Sequence, residues 1–219
     1  MQNLRLQSAL AACSVALCAA LTACSVLPTP PQAMVRYDLG AAPAFQTSAQ
    51  GGALAPLALT DMQAPLQVEG NLAVRYRLAY ADKQVLHAYT EARWSLPPSQ
   101  MVQQRLREHL GQGGRIVLSA EAGVIPPSVQ GRQAPVLRLA LEEFSHVFTS
   151  AEQGVGWVRV RATLINPAPQ GDVLLAQRLF EGQVPATAAN AAAGVQALAQ
   201  GVNDIGVQMN QWVQALNLP

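Results

Sequence analysis

The sequence predicts a single α/β domain in a chain of 219 residues. Three observations point there. Residues 72–80 alternate apolar and polar side chains with the period of a strand. Further β-rich segments lie on both sides of one central helical stretch, and a heptad-spaced apolar run closes the chain. The length suits one domain with a tail, and with 50% of its residues hydrophobic the chain can bury a real core.

Taken in order, residues 1–23 read as an export signal. Arg5 is their only charge, Ser8 to Ala20 is an unbroken run of small and apolar residues, and Leu21-Thr22-Ala23-Cys24 closes the stretch. A positive start, a short apolar run and a small-residue site form the pattern of a cleaved signal. The run is too short to span a bilayer, which takes about 20 apolar residues. A site ending on cysteine resembles a bacterial lipobox, which implies cleavage before Cys24, a diacylglyceryl thioether on its sulfur and an acyl chain on the new amino group. Three chains would moor the protein where one holds it only reversibly. The alternative is an ordinary secretory signal that carries a cysteine at its cleavage site. Ser25, where enteric-type sorting to the inner membrane favours Asp, tips the expectation towards the outer membrane.

Removal of residues 1–23 takes away Cys13, Cys18 and Arg5, so Cys24 is the only cysteine left. With the lipid on it, disulfides, thiol catalysis and thiolate metal sites are excluded. The 14 Lys+Arg less Arg5 then stand against 13 Asp+Glu, a formal charge of zero without the basic excess of a nucleic-acid binder.

Residues 24–33 follow as a lipidated tether, since Ser25 to Ala33 is rich in proline and small residues. The domain takes the remainder, 34–219. Met34 to Leu39 reads as a short strand and Gly40 to Pro56 as a surface loop. In Leu72 to Tyr80, Leu72, Val74, Tyr76, Leu78 and Tyr80 share one face, with Arg75 and Arg77 on the other. A polar break at Ala81–Gln84 and a resumed β pattern from Val85 to Trp94 complete a hairpin. The helix after it has Ser95 or Ser99 as cap, Pro97 and Pro98 in its first turn and Gly111 as its stop. Val102, Leu106 and Leu110 form its apolar stripe, and Arg105, Arg107 and Glu108 its polar surface. Ile116–Ala120 is a short strand and Gly123–Pro135 a loop. Val136–Phe148, Val155–Ile165 and Val173–Val184 are three more strands. The near-continuous Val173-Leu174-Leu175-Ala176 suggests that the last of them is central and covered on both faces.

Thr187 to Leu216 is a long helix whose seam runs Val195, Leu198, Val202, Ile205, Met209, Trp212, Leu216. Gly194, Gly201 and Gly206 each weaken it by about 1 kcal/mol relative to Ala, so tertiary packing must hold it, either on the sheet or against a helix of another subunit.

With the elements in order, the chain resembles the ABC-type transport auxiliary lipoproteins, the PqiC-like group. The residues that carry the likeness are Tyr37-Asp38-Leu39, Val74-Arg75-Tyr76-Arg77-Leu78-Ala79-Tyr80, Arg93-Trp94-Ser95-Leu96-Pro97-Pro98 and Arg105-Leu106-Arg107 with Leu110. Arg161-Ala162-Thr163-Leu164, Gly194-Val195-Gln196-Ala197-Leu198 and Trp212 complete it. The resemblance implies a mixed β-sheet flanked by helices, like the TolB N-terminal and anticodon-binding-domain-like folds. It also implies an outer-membrane-anchored periplasmic adaptor working with an MCE-domain protein and the permease and ATPase of an ABC system that moves lipid or other hydrophobic cargo. A ring of several copies, a homo-oligomer around a tubular partner, belongs to the same expectation. The family brings no catalytic motif, and no cofactor, metal site or catalytic residue is assigned.

Five readings of individual residues remain. Glu143-x-x-His146 has the spacing of a helical metal half-motif, but on a strand its two side chains face opposite ways, which favours a structural role. His87 and His109 read as ordinary polar positions, and Gly111-Gln112-Gly113-Gly114 as a helix stop instead of a phosphate loop, since it follows a helix. Trp94 either pins the helix to the sheet or anchors a partner. Arg75 and Arg77 share one strand face, as do Arg159 and Arg161. Were those strands neighbours, the four would form a basic stripe for acidic residues or lipid headgroups; otherwise they are a solvated face paired with Glu and Asp. Two competing functions are a lipoprotein that assembles or plugs an outer-membrane protein, and a carrier with its own lipid pocket.

Overall fold

Eight strands and two helices make up the computed structural model, which describes residues 33–42, 54–65, 71–121, 123–129, 131, 133–216 and 218. The export signal, Cys24 and the tether to Gln32 lie outside the described residues. In chain order the elements are β1 (Val35–Tyr37), β2 (Leu57–Leu59), β3 (Ala73–Leu78), β4 (Asp82–Trp94), α1 (Pro98–Leu110), a 3-10 turn (Gln112–Gly114), β5 (Val117–Ser119), β6 (Val136–Phe148), β7 (Gly154–Asn166), β8 (Val173–Pro185) and α2 (Ala191–Ala215).

β6 is the spine of one mixed sheet. On one side it pairs antiparallel with β7, and β7 with β8, a meander of three 13-residue strands joined by short turns. On the other side the sheet forks. β2 runs parallel to the start of β6, with Ala58 beside Val136, and carries β5. β3 runs parallel to the end of β6, with Tyr76 beside His146, and carries β4 and then β1.

Alternation decides the two faces. On β7, Val158, Val160, Ala162 and Leu164 are fully buried, while Trp157, Arg159, Arg161 and Thr163 between them are half-buried. Both helices cover the first face. Met101, Val102, Leu106 and Leu110 of α1 join Val195, Leu198, Val202, Ile205 and Met209 of α2 in one core with Leu137, Leu139, Leu141 and Phe144 of β6. The seam of α2 therefore packs within its own domain.

The three glycines of that helix sit where it touches its neighbours. A Cβ on Gly194 would lie 2.5 Å from Nδ1 of His146, and one on Gly206 would run into the ring of His109. At Gly201 it would come within 3.2 Å of Val158 Cγ2. The sheet reciprocates: a Cβ on Gly156 would lie 2.5 Å from Leu198 N, and one on Gly182 3.2 Å from Gly201 O. Backbone thus lies directly on backbone, and the close contact offsets the weak intrinsic propensity of the helix.

Several expectations need correction. β2 was not foreseen: its three residues hide behind an Ala- and Pro-rich stretch, yet they are buried between two parallel neighbours. No side chain caps α1, whose N-cap is Pro97; α2 begins at Ala191, where Asn190 Oδ1 accepts from Ala193 N at 2.9 Å. Gly111 keeps a right-handed φ of −76°, and the left-handed turn falls on Gly113 and Gly114 at 71° and 80°.

Arg105, expected on the surface, is 5% exposed. It donates to Asn203 of α2 at 2.8 Å and to the carbonyls of Leu39 and Gly40 at 3.2 and 2.6 Å. His109, one turn on, is 1% exposed against α2. β8 is an edge strand instead of a central one: Val173, Leu174 and Leu175 are 54%, 61% and 44% exposed. Short hairpins fix β8 beyond β7, and the chain then leaves into α2, so among the described residues no strand pairs with its far side.

Candidate functional site

The face of the sheet away from the helices collects the charged residues that the sequence singled out. Arg75 and Arg77 reach it from β3, Arg159 and Arg161 from β7, and β6 runs between the two strands. The strands are therefore not neighbours, and a continuous basic stripe does not form. β6 places acids in the gap.

Glu142 accepts from Nε of Arg161 at 2.6 Å and from Nε of Arg159 at 3.2 Å. Glu143 pairs with Nη2 of Arg77 at 3.2 Å, and Nη1 of Arg77 leans on the carbonyls of Lys83 and Gln84 at 3.4 and 3.5 Å. The Arg161 hydrogen bond, with Arg159 beside it, holds the Glu142 carboxyl below the usual carboxylate range against the opposing effect of burial.

Two consecutive glutamates can serve one face because the strand is bulged. Register skips from Leu141 opposite Val160 to Glu143 opposite Arg159, which leaves Glu142 as the extra residue. The sequence carries the sign of this bulge. Odd positions 137, 139 and 141 point to the helices before it, and even positions 144, 146 and 148 after it.

Trp157, which sequence reasoning passed over, completes the face. It stands two residues from Arg159 on the same side of β7, with the Arg159 guanidinium 5.9 Å from its ring centre, and its Nε1 donates to Glu181 of β8 at 2.8 Å. The alternation that paired Arg159 with Arg161 would have found it. Both arginines bond Glu142 through Nε and remain 36% and 40% exposed. Their outer amines form a pair of forks, the geometry that reads carboxylate or phosphate.

Trp94 belongs elsewhere. It is 1% exposed and packs its ring 5.2 Å from that of Phe144, so it pins β4 to β6 under α1 and offers a partner no surface. Glu143 and His146 point to opposite faces, as strand geometry requires. His146 is fully buried beneath α2, hydrogen-bonded through Nδ1 to the Tyr89 hydroxyl at 2.9 Å. Burial pushes its pKa down to about 4 and that of the Tyr89 phenol up. Tyr76 stacks with His87 at 5.0 Å and lies tilted against Tyr89 at 4.6 Å, extending the same aromatic cluster. Beside it, a groove of about 420 Å³ opens where β1 and β4 meet the start of α2, walled by Tyr37, Tyr89, Ala92 and Ala191. Among the described residues no three His, Cys, Asp or Glu side chains gather as metal ligands, and no helix is long and apolar enough to cross a membrane. Cys24 lies outside the described residues.

The family model for the ABC-type transport auxiliary lipoprotein component matches residues 37–210. No curated protein matches the sequence. Among solved structures, a Xanthomonas campestris protein aligns with a TM-score of 0.66 at 16% identity, covering 83% of this chain and 95% of its own. A second, an uncharacterized protein, aligns at 0.59 and 14% identity, covering 83% and 99%. At such identities the likeness is one of fold.

Proposed function

The chain belongs to the ABC-type transport auxiliary lipoprotein family, and we propose on that premise that it is a lipid-anchored, non-enzymatic adaptor of an MCE-type transport system in the bacterial envelope. Acyl chains on Cys24 fix one end in the outer membrane, residues 25–33 give reach, and the domain presents the helix-free face of its sheet to the MCE-domain subunit projecting from the inner membrane. Lipid or another hydrophobic molecule is the cargo of the assembled system. Anchoring raises effective concentration, so modest contacts suffice.

One observation carries the choice of face. Trp157 and the forks of Arg159 and Arg161 stand side by side, half-buried and positioned by Glu142 and Glu181. An aromatic ring with flanking arginines is the composition of an interface hot spot.

A photo-crosslinking residue at Trp157 in intact cells tests the reading. Capture of an MCE-domain subunit supports the adaptor. Capture of a β-barrel protein instead would establish the assembly function. In parallel, Cys24→Ala should release the protein from the membrane fraction and abolish that crosslink; a soluble Cys24→Ala protein that still complements a deletion strain would refute the anchored adaptor.

A further inference from the structure

Two guanidinium groups on the helix-free face share one carboxylate. Glu142 accepts from Arg161 Nε on Oε1 at 2.6 Å and from Arg159 Nε on Oε2 at 3.2 Å. Among the described residues, no hydrogen bond runs from Nη1 or Nη2 of either arginine. Glu181 stands opposite Arg159 in the β7–β8 register, but its Oε1 accepts from Trp157 Nε1 and Gln183 Nε2, both at 2.8 Å. The triad of Arg159, Glu142 and Arg161 is therefore one negative charge short, with the Nη ends of both guanidinium groups unfilled.

We propose, on the adaptor reading, that one carboxylate of the partner protein completes this triad. An Asp or Glu side chain seats across the Nη ends of Arg159 and Arg161, and an apolar residue beside it lies on the Trp157 ring. Two guanidinium groups and two carboxylates then alternate in a closed square with its charges balanced. Strand geometry fits the seat. Arg159 and Arg161 are two residues apart on β7, about 6–7 Å along the strand, and the two oxygens of Glu142 already span that gap from one side. Arginine suits the role because its planar fork fixes the orientation of a carboxylate, where lysine offers a point charge. Glu142 orients both forks before the partner arrives, so little side-chain freedom is left to lose on docking. A lipid headgroup is the poorer occupant. Recognition of an anionic membrane surface draws on clusters of about 4–8 Lys/Arg, whereas the triad carries one charge in excess and β6, β7 and β8 carry no lysine. Trp157 is half-buried and tied to Glu181 through Nε1, so it is not free to insert into a bilayer.

Photo-crosslinking of the full chain in intact cells tests the seat, with the crosslinking residue at Gln183, opposite Trp157 on β8, so that ring and triad stay intact. Mass spectrometry should find the captured segment of an MCE-domain subunit to carry Asp or Glu within about four residues of the crosslink. Arg159→Gln with Arg161→Gln should lower the yield about tenfold. Arg159→Lys with Arg161→Lys keeps the charge without the fork and should lower it too. Changing the captured acid to Arg should abolish capture by the unaltered chain and restore it in an Arg161→Glu chain, where the square again holds two charges of each sign. That paired reversal decides by itself should the double Gln variant fail to fold. Capture of the subunit through a segment without an acid, or a yield unchanged by the double Gln variant, overturns the seat and leaves the adaptor standing. A phospholipid adduct lost in the double Gln variant assigns the forks to a headgroup phosphate and overturns the seat as well. Absence of any MCE-domain subunit among the captured proteins refutes the adaptor reading itself, and the seat with it.

Discussion

Gly194→Ala should destabilise this protein although the same exchange in an exposed helix stabilises. Propensity alone favours Ala by about 1 kcal/mol. Here the new Cβ would lie 2.5 Å from Nδ1, 2.8 Å from Cγ and 3.0 Å from Cβ of His146, so it meets the root of the ring and not a flexible tip. The ring has nowhere to withdraw. Gly154 closes its Nε2 side, the ring of Phe148 stands 4.2 Å away, and Tyr89 holds Nδ1. Overpacking costs about 1–3 kcal/mol, and the strained Tyr89–His146 hydrogen bond up to about 1 more. Against the propensity gain, the net loss is up to about 3 kcal/mol. Urea unfolding of the mature chain should show the midpoint lowered at unchanged slope. The sign should reverse in a His146→Ala background, where the cavity accepts the methyl and Gly194→Ala gains about 1 kcal/mol, a coupling of about 1–4 kcal/mol. Stabilisation by Gly194→Ala in the unaltered chain would refute the packing argument.

Acidification should destabilise the domain through its buried histidines. His146 has a folded pKa of about 4 against about 6.5 unfolded, so the unfolded chain binds the extra proton and stability falls as pH drops from about 6.5 towards 4, by roughly 3 kcal/mol in all. His109, lowered chiefly by burial, contributes with the same sign; a urea midpoint flat between pH 6.5 and 4.5 would contradict both. Trp94→Ala should cost about 3–5 kcal/mol, read as a large fall in thermal midpoint, whereas half-buried Trp157→Ala should cost under about 1 kcal/mol and act on partner crosslinking instead. Glu142→Gln removes the charge shared by Arg159 and Arg161. It should lower stability by no more than about 1 kcal/mol, as exposed pairs do, yet reduce crosslinking at Trp157 by loosening both guanidinium forks; unchanged crosslinking would detach Glu142 from the docking face.

Long regular elements were legible because their periodicity is imposed by one buried face. The β3–β4 hairpin, the strands from Val136 onward and the seam of α2 stand within a few residues of their expected bounds. What the sequence hid was order across the sheet. The Val173–Leu175 run signals apolarity, and the same run serves a covered strand or an exposed edge; only hairpin connectivity beyond β7 distinguishes them. The arginine pairs were placed on their faces correctly, but β6 between them, and its bulge at Glu142, decide that they meet glutamates and not each other. Arg105 read as surface, and His109 as an ordinary polar position, because polar residues on a helix usually face solvent. The clue lay far away in the chain, where Gly206 and Asn203 make room and hydrogen bonds for them.

Those distant pairings also explain why the face and the edge are held rigidly. A helix seated on a sheet through leucines alone could slide, since one aliphatic knob resembles the next. α2 is fixed at three points of different shape: Gly194 takes the His146 ring from β6, Gly201 takes Gly182 and Val158 of the meander, and Gly206 takes the His109 ring from α1. A shift by one residue would drive a side chain into each of these seats. With α2 locked in register against β6, β7 and β8, the twist of the meander is set. The spacing of Trp157, Arg159 and Arg161 on one face and the line of β8 at the edge then follow from the backbone, without an ordering step on binding. Weak intrinsic helix propensity is thus the local cost of a well-defined outer surface, the property that the proposed adaptor requires.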